Sequence, residues 1–325
     1  MTLLSVNDLS VEFSVDEGTL RAVDEVSFHI SRGESLGLVG ESGCGKSVAA
    51  LALTRLIPSP PGRIVSGQVN FGGRDLLKLK PEALRAVRGN EISMIFQEPL
   101  SALSPLHRIG RQMIEGIGFH KDMSPKEAWQ YALSWLKKVG IPDAEDRMNA
   151  YPFQLSGGMQ QRVMIAMALM LSPGLIIADE PTTALDVTTQ AQIFRLIREM
   201  KRNETALLLI THDMGVVWEM CDRVIVMYAS RIVESAKIEE IFSSPVHPYT
   251  RGLLEAIPRP ARGRNYLKDI PGQVPSPLSY PQGCYFQERC SYVSNRCRIE
   301  KPEFAECGDG HLAACFLAYQ DRGSQ

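Results

Sequence analysis

The chain has 325 residues, enough for one large α/β domain with a smaller appendage or for two modest domains. Its 35 Lys and Arg residues against 37 Asp and Glu give a formal net charge of −2, which argues against a protein that binds nucleic acid or an anionic membrane surface. The N-terminus has no basic stretch followed by an apolar run, so we expect no secretory signal and a cytosolic location.

The first 73 residues are predicted to be rich in β-strands, because short alternating runs such as 9–13 and 69–71 are separated by turns that contain glycine. From about Pro81 to Met170 the pattern changes, and apolar residues recur at three- and four-residue spacing, as in 128–139. This second part is predicted to be mainly helical.

A glycine-rich segment follows the apolar strand 36–39 and precedes the helical stretch 48–56. It fits the pattern G-x-x-x-x-G-K-S/T and reads Gly40, Glu41, Ser42, Gly43, Cys44, Gly45, Lys46 and Ser47. Its glycines let backbone N–H groups turn towards phosphate oxygens at a helix N-terminus. Lys46 can neutralise the β- and γ-phosphates, and the Ser47 hydroxyl can bind Mg²⁺. The segment therefore predicts a nucleotide-phosphate site.

Residues 175–226 alternate apolar strands with helical stretches, a pattern typical of βαβ units around a parallel sheet. The first of these strands ends in Asp179 and Glu180. Asp179 can position Mg²⁺, and Glu180 can polarise a water molecule for attack on the γ-phosphate. Many strands end in a solvated pair of acids, so this prediction depends on the phosphate loop that precedes it.

A second candidate anion site lies between these two elements, at the predicted start of a helix. It reads Leu155, Ser156, Gly157, Gly158, Met159, Gln160, Gln161 and Arg162. Ser156 followed by two glycines offers a hydroxyl and free N–H groups to an anion, although by itself the pattern is that of an ordinary helix N-cap. In this order and spacing the segment resembles the signature sequence of ABC ATPases.

That resemblance implies a head-to-tail dimer, in which the signature of one subunit closes on the γ-phosphate held by the other. The residues concerned would be Ser156, Gly157, Gly158 and Gln160. The resemblance also implies the fold: an α/β, ABC-type P-loop domain over residues 1–257, with a parallel-sheet core, an antiparallel β subdomain and a helical subdomain at about 98–170. A loop-rich extension that contains cysteines would occupy 258–325.

Four further residues match family positions. Gln97 resembles the glutamine that contacts Mg²⁺ and the attacking water, and Asp186 resembles the aspartate that acts across the dimer. His212 is similar to the switch histidine at the γ-phosphate, and Phe13 resembles the aromatic residue that stacks on adenine. Taken alone, a histidine after a strand is more often structural and a phenylalanine on a strand is more often core. With Lys46 and Glu180 in place, the resemblance implies a catalytically competent subunit.

The phrase 244–250, Ser-Pro-Val-His-Pro-Tyr-Thr, resembles the oligopeptide/dipeptide importer branch of the family. The resemblance extends to cysteines in the tail, where several members carry a 4Fe–4S cluster: Cys284, Cys290, Cys297 and Cys315. Four thiolates can also hold structural Zn²⁺, and spacing alone does not choose between them. Cys307 is an extra cysteine, and Cys44 and Cys221 are expected to be packing residues.

We therefore expect the ATPase subunit of a bacterial peptide importer, bound to the cytoplasmic face of the inner membrane through its partners. Those partners would be two permeases, fed by an extracytoplasmic peptide-binding protein, and a second ATPase. The resemblance to this branch implies that the second ATPase is a homologue rather than a copy. No nucleic acid partner is expected. The same machine with nickel, glutathione or antimicrobial-peptide cargo stays open, as does a soluble ABC ATPase without a permease.

Overall fold

The computed structural model describes residues 1–182, 186–201, 203–257, 269–308 and 310–319. The chain divides into two compact units. The first unit comprises Met1, Ser31–Glu34 and Lys78–Leu209, and the second comprises Thr2–Ile30, Ser35–Leu77 and Ile210–Gln325. The predicted domain boundary near residue 257 stays a prediction, because the residues that follow it, 258–268, lie outside the described part of the chain.

The α-helices are α1 (Lys46–Leu53), α2 (Pro81–Val87), α3 (Pro99–Ala102), α4 (Ile109–Gly118), α5 (Pro125–Lys138), α6 (Ala144–Met148), α7 (Gly157–Leu169), α8 (Val187–Met200), α9 (Met214–Met220), α10 (Ile238–Ser243), α11 (Pro248–Glu255) and α12 (Asn295–Ile299). The strands are β1 (Thr2–Val15), β2 (Gly18–Ser31), β3 (Ser35–Val39), β4 (Gly62–Phe71), β5 (Arg74–Asp75), β6 (Ile92–Ile95), β7 (Leu175–Asp179), β8 (Ala206–Ile210), β9 (Arg223–Tyr228), β10 (Arg231–Lys237), β11 (Ala305–Gly308) and β12 (His311–Ala313). Short 3₁₀ helices cover Pro152–Gln154 and Phe316–Tyr319.

The first unit contains the strands β6, β7 and β8 in the order β8-β7-β6. β6 and β7 are parallel, and their register runs from Ile92 opposite Leu175 to Ile95 opposite Ala178. All five residues of β7 are buried, which is the pattern of a strand covered on both faces. Helices α2 to α7 lie in the sequence that was predicted to be helical.

The second unit contains an antiparallel sheet in the order β2-β1-β4-β5. Leu4 pairs with Phe71 and Val6 with Val69, and these side chains are buried. Because side chains alternate across a strand, one face of the β1–β4 pair supplies apolar residues to the core. This agrees with the β-rich pattern of the first 73 residues.

The second unit also contains the strands β11-β12-β10-β9-β3 in that order. β3 runs parallel to β9 and is buried along its whole length, so its carboxyl end is fixed before the phosphate loop begins. β12 pairs with the edge of β10, where Glu234 lies opposite Ala313. Most of the described part of the tail lacks regular structure, as its composition indicates. The β11–β12 hairpin was not predicted, because its strands are only 4 and 3 residues long and show no usable period.

Among the described residues, no helix combines the length and apolar character that a membrane crossing requires.

Candidate functional site

The phosphate loop depends on glycine at both of its ends. Gly40 has φ 155° and Gly45 has φ 102°, conformations that side-chain-bearing residues rarely adopt. A Cβ atom on Gly40 would lie 2.2 Å from the Met227 carbonyl oxygen, and one on Gly45 would lie 2.1 Å from that of Ala22. The turn leads the chain from β3 into α1, and the backbone has room for it only because these two positions carry no side chain.

Lys46 is the first residue of α1 and is 5% exposed. Its Nζ donates to the carbonyl oxygens of Gly40, at 2.8 Å, and Glu41, at 3.0 Å. The ammonium group is thus held inside the loop at a helix N-terminus, where an anion is favoured. Cys44 is buried beside it, and burial raises the pKa of its thiol, which agrees with a packing role.

Glu41 of the phosphate loop is fixed by two residues from the C-terminal part of the chain. Its backbone N–H donates to Tyr249 Oη at 2.8 Å. Its carboxylate accepts two hydrogen bonds from Arg289, from Nη1 at 2.7 Å and from Nη2 at 3.0 Å. Sequence reasoning missed both residues, although Tyr249 lies in the 244–250 phrase and Arg289 lies next to Cys290.

In the first unit, Gln97 and Glu180 come together at the carboxyl end of β7. Gln97 Nε2 donates to Glu180 Oε2 at 3.1 Å. Glu180 has φ 43°, an uncommon conformation for a residue with a side chain, and such strain is often found at functional sites. Asp179, the last residue of β7, is 5% exposed. The unit therefore places an amide against the carboxylate that was predicted to polarise water.

Gln161 is a positioning residue that the sequence analysis did not single out. It lies on α7, is 2% exposed, and its Nε2 donates to the carbonyl oxygen of Pro181, the residue after Glu180. It therefore ties the signature helix to the turn that carries the predicted base. The sequence did carry a signal for it, because Gln161 stands among apolar residues of the predicted helix. A buried amide is normally hydrogen-bonded, so a partner for this side chain could have been expected.

The signature segment presents its first turn outward. Ser156 is exposed and caps α7 by accepting a hydrogen bond from the Met159 N–H at 3.4 Å. A Cβ atom on Gly157 would meet nothing within 4 Å, whereas one on Gly158 would lie 3.5 Å from Thr189 Cγ2. Gln160 turns back, and its Nε2 donates to the Pro152 carbonyl oxygen at 2.8 Å. The exposed hydroxyl and helix N-terminus have the geometry of an anion site.

Asp186 is the N-cap of α8. Its carboxylate accepts from the Thr189 N–H at 3.0 Å, from the Thr189 hydroxyl at 2.7 Å and from the Thr188 hydroxyl. The hydrogen bonds from Thr188 and Thr189 hold the pKa of Asp186 well below its ordinary value, so this exposed carboxylate is charged at neutral pH. The other residues of its predicted loop, Thr183, Ala184 and Leu185, lie outside the described residues.

Phe13 and His212 lie in the second unit. Phe13 is half-buried on β1 opposite Gly62, where a Cβ atom would come within 2.8 Å of the Phe13 ring. His212 is exposed between β8 and α9. Their roles at adenine and at the γ-phosphate stay predictions.

The four cysteines of the predicted cluster, Cys284, Cys290, Cys297 and Cys315, line one cavity of about 50 Å³. The Cys284 N–H donates to the Cys297 carbonyl oxygen at 2.8 Å, which joins two of the cysteine-bearing turns. Burial raises the pKa of the Cys284 thiol to about 11 and that of Cys315 to about 12. Without a compensating cation these thiols are neutral at physiological pH.

The same region gives no support to a mononuclear metal site. Across the described ranges, no three His, Cys, Asp or Glu side chains are grouped so that they could hold a metal ion. In this respect the structure supports neither the zinc alternative nor the predicted iron–sulfur cluster. Cys307 lies elsewhere, against a small alanine cluster of the β11–β12 hairpin.

Comparison with known proteins places these observations in context. A family model described as "ABC transporter" matches residues 23–183, and one described as "Oligopeptide/dipeptide transporter, C-terminal region" matches residues 233–297.

The relatives that match nearly the whole chain include the following three. The probable peptide ABC transporter ATP-binding protein y4tR of Sinorhizobium fredii is 53% identical over 97% of this chain and 94% of its own length. The oligopeptide transport ATP-binding protein AppD of Bacillus subtilis is 46% identical over 100% of this chain and 99% of its own length. The dipeptide transport ATP-binding protein DppD of Escherichia coli is 45% identical over 99% of both chains.

Among solved structures, the dimeric post-hydrolysis state of the ATP-binding cassette MJ0796, bound to ADP and Pi, superposes with a TM-score of 0.65. The two sequences are 28% identical, and the superposed part covers 73% of this chain and 99% of the MJ0796 chain. The predicted α/β cassette fold is thereby confirmed.

Proposed function

Because this chain belongs to the ABC transporter family of ATP-binding proteins, we propose that it is the ATP-hydrolysing subunit of an importer of dipeptides or oligopeptides. The observation that carries the choice of cargo is the similarity of the C-terminal part, residues 233–297, to the oligopeptide/dipeptide transporter C-terminal region. The cassette alone would not distinguish one cargo from another. The similarity over nearly full length to relatives named for peptide transport supports the same choice.

In this proposal the phosphate loop holds the ATP phosphates. In the turn from Gly40 to Gly45, the backbone N–H groups of Ser42 and Gly43 would face the phosphate oxygens, and the Lys46 ammonium would neutralise their charge. Lys46 already lies inside the loop, within hydrogen-bond distance of two of its carbonyl oxygens. Phe13 would stack on the adenine ring.

Mg²⁺ would be held by the hydroxyl of Ser47, by Asp179 and by Gln97, all of which offer the oxygen ligands this ion prefers. When bound, Mg²⁺ neutralises charge that develops on the transferred phosphoryl group. Glu180 would accept the proton of the attacking water, and the Gln97 amide, 3.1 Å from it, would orient its carboxylate. His212 would contact the γ-phosphate.

A second ATPase subunit would complete each site. The exposed turn with Ser156, Gly157 and Gly158 at the start of α7 would close on the nucleotide held by the partner, with Gln160 shaping that turn and Asp186 acting across the interface. We propose that this second subunit is a homologue of the chain rather than an identical copy, in keeping with the oligopeptide/dipeptide importer branch.

The other proposed partners are two membrane-spanning permeases, which would place this subunit on the cytoplasmic face of the bacterial inner membrane. An extracytoplasmic peptide-binding protein would act indirectly. Leu100, Leu106 and Phe153 are exposed apolar side chains of the first unit that we propose as contacts for a protein partner. The proposed occupant is a cytoplasmic segment of a permease.

We also propose that Cys284, Cys290, Cys297 and Cys315 hold a structural 4Fe–4S cluster. The support is that the four thiols line one cavity in a segment with little regular structure.

Cys307 provides a matched control for the cluster, because it lies in the same extension but outside this cavity. Iron and sulfide would be measured in anaerobically purified protein. We expect both in the wild-type protein and in Cys307→Ser, and neither in Cys290→Ser. Wild-type protein without iron and sulfide would refute the cluster.

The experiment that tests the proposed function is purification of the tagged chain from membranes solubilised in mild detergent, followed by mass spectrometry. Two multi-span permeases and a second ATPase are expected to copurify, and peptide uptake should depend on this chain. Recovery from the cytosol alone, or with ribosomes or DNA, would contradict the transport proposal. Recovery of the complex with uptake of nickel or glutathione but not of peptides would overturn the cargo.

A further inference from the structure

Arg289 connects the cysteine-lined segment of the C-terminal extension to the phosphate loop. Its neighbour, Cys290, lines the cysteine cavity. The Arg289 side chain is only 4% exposed, and its guanidinium forms a bidentate pair with the Glu41 carboxylate, which is itself 29% exposed. Paired parallel N–H···O bonds of this kind fix both distance and orientation.

Two further N–H groups of the guanidinium are also used. Nε donates to the Pro271 carbonyl oxygen at 3.0 Å, and Nη2 donates to that of Ile270 at 3.0 Å. The Tyr228 and Phe286 rings lie near the guanidinium carbon, with centroids at 5.7 Å and 5.9 Å. Arg289 is therefore held by several elements at once, so it can hold Glu41 in one place.

Glu41 transmits this restraint because its backbone is engaged as well. Its N–H donates to Tyr249 Oη, and its carbonyl oxygen accepts from Lys46 Nζ at 3.0 Å. The N–H of Glu41 is thus occupied by a phenol rather than turned to a phosphate. A shift of Glu41 would carry with it an acceptor that positions the Lys46 ammonium.

We propose that Arg289 is a positioning residue for ATP binding, acting through Glu41 on the phosphate loop and on Lys46. The inference rests on the proposed role of residues 40–47 as the phosphate site. If Arg289 has this role, the affinity for ATP depends on the C-terminal extension, because Arg289 lies in it next to Cys290 of the cysteine cavity. A purely structural role, in which the pair only fastens the extension, would change the thermal stability of the protein but not its affinity for ATP.

The test measures the Kd of a fluorescent ATP analogue and the Tm without nucleotide, both on the full chain in its purified complex. The variants are Arg289→Met, Glu41→Gln and the double variant. Lys301→Met is the matched control, because Lys301 pairs the same extension with Glu25, which lies outside the phosphate loop.

We expect Arg289→Met to raise the Kd about tenfold, equivalent to about 1.4 kcal/mol, and Glu41→Gln to raise it about threefold. The double variant should bind no more weakly than Arg289→Met, because both substitutions remove one interaction. Lys301→Met should bind ATP like the wild type.

A wild-type Kd in both single variants, whatever their Tm, would overturn the proposal. If Arg289→Met does not fold, Glu41→Gln decides alone, since it leaves the arginine and the extension intact. Lys46→Ala distinguishes the two levels of the argument: wild-type affinity in that variant would refute the phosphate site itself. Weakened binding in Lys46→Ala together with wild-type binding in Glu41→Gln and Arg289→Met would refute only the role of Arg289.

Discussion

Two regions of the second unit, the strand that leads into the phosphate loop and the C-terminal extension, are stabilised in different ways. β3 is buried along its length and hydrogen-bonded in a sheet, so many small apolar contacts fix its position. The described part of the extension has little regular structure, and besides the pairing of β12 with β10 it is attached through polar pairs such as Tyr285 with Asp24 and His311 with Glu234. Substitutions near the nucleotide should therefore affect chemistry, whereas substitutions at these pairs should first affect stability.

Within the second unit, the largest expected effect belongs to the phosphate loop. Lys46→Ala should lower ATP turnover by about 10² to 10³, because it removes a positioned positive charge from the phosphate site. Its unfolding midpoint should stay close to that of the wild type, since β3 and α1 keep their packing. Steady-state ATP hydrolysis and thermal unfolding test the two parts separately. A variant that hydrolyses ATP normally, or one that simply unfolds, would break the comparison.

The next effect concerns an attachment of the extension. Asp24 is 2% exposed and accepts hydrogen bonds from Arg231 at 2.5 Å, Arg21 at 3.2 Å and Tyr285 at 3.1 Å. Asp24→Asn should lower the free energy of unfolding by about 2 kcal/mol, because it leaves the half-buried Arg231 without its counter-charge. Tyr285→Phe is the matched control and should cost about 1 kcal/mol, since it removes a single hydrogen bond. Equal losses in the two variants would contradict the electrostatic explanation.

The same carboxylate gives a pH dependence. Burial alone would raise the pKa of Asp24, but Arg231 and Arg21 outweigh it and hold the pKa below its ordinary value. The stabilisation is therefore present above the pKa of the unfolded chain and is lost as the pH falls through the lowered pKa of the folded state. Denaturant unfolding at a series of acidic pH values should show a smaller loss of stability in Asp24→Asn. If Asp24→Asn loses as much stability at acidic pH as the wild type, the Asp24 carboxylate is not the source of this pH dependence.

The smallest expected effect compares two serine N-caps of the first unit. Ser124 caps α5 in a reciprocal capping box with Glu127, and Ser156 caps α7. Replacing either serine by alanine should cost about 1 kcal/mol of stability. Only Ser156→Ala should lower ATP turnover, because only that hydroxyl is proposed to reach a nucleotide in the partner. A parallel loss of turnover in Ser124→Ala would show that cap loss alone is responsible.

The parts that could be predicted from the sequence are those with local signals. The strands β7, β8 and β9 follow from short apolar runs, and the phosphate loop follows from glycine and lysine spacing at the end of β3. The contacts that could not be predicted join distant residues. Tyr249 and Arg289 reach Glu41 from 208 and 248 positions away, and no local pattern marks either partner.

Backbone conformation explains two other omissions. The positive φ of Glu180 cannot be seen in its residue type, because glutamate ordinarily avoids that region. Gln161 was passed over because its partner is a backbone carbonyl oxygen, that of Pro181, which every residue type supplies. The β11–β12 hairpin forms against the edge of β10, so its strands depend on tertiary pairing rather than on their own sequence.

The most direct test of the account is ATP turnover by the purified transporter when this chain carries Glu180→Gln, measured together with ATP binding. Glutamine matches glutamate in size and keeps an oxygen that can accept from Gln97, so the fold and the bound nucleotide should be retained. We predict wild-type ATP affinity with turnover lowered about 10² to 10⁴, because the group that accepts the proton of water has been neutralised. Turnover at the wild-type rate would contradict the assignment of Glu180 and, with it, the proposed chemistry of this site.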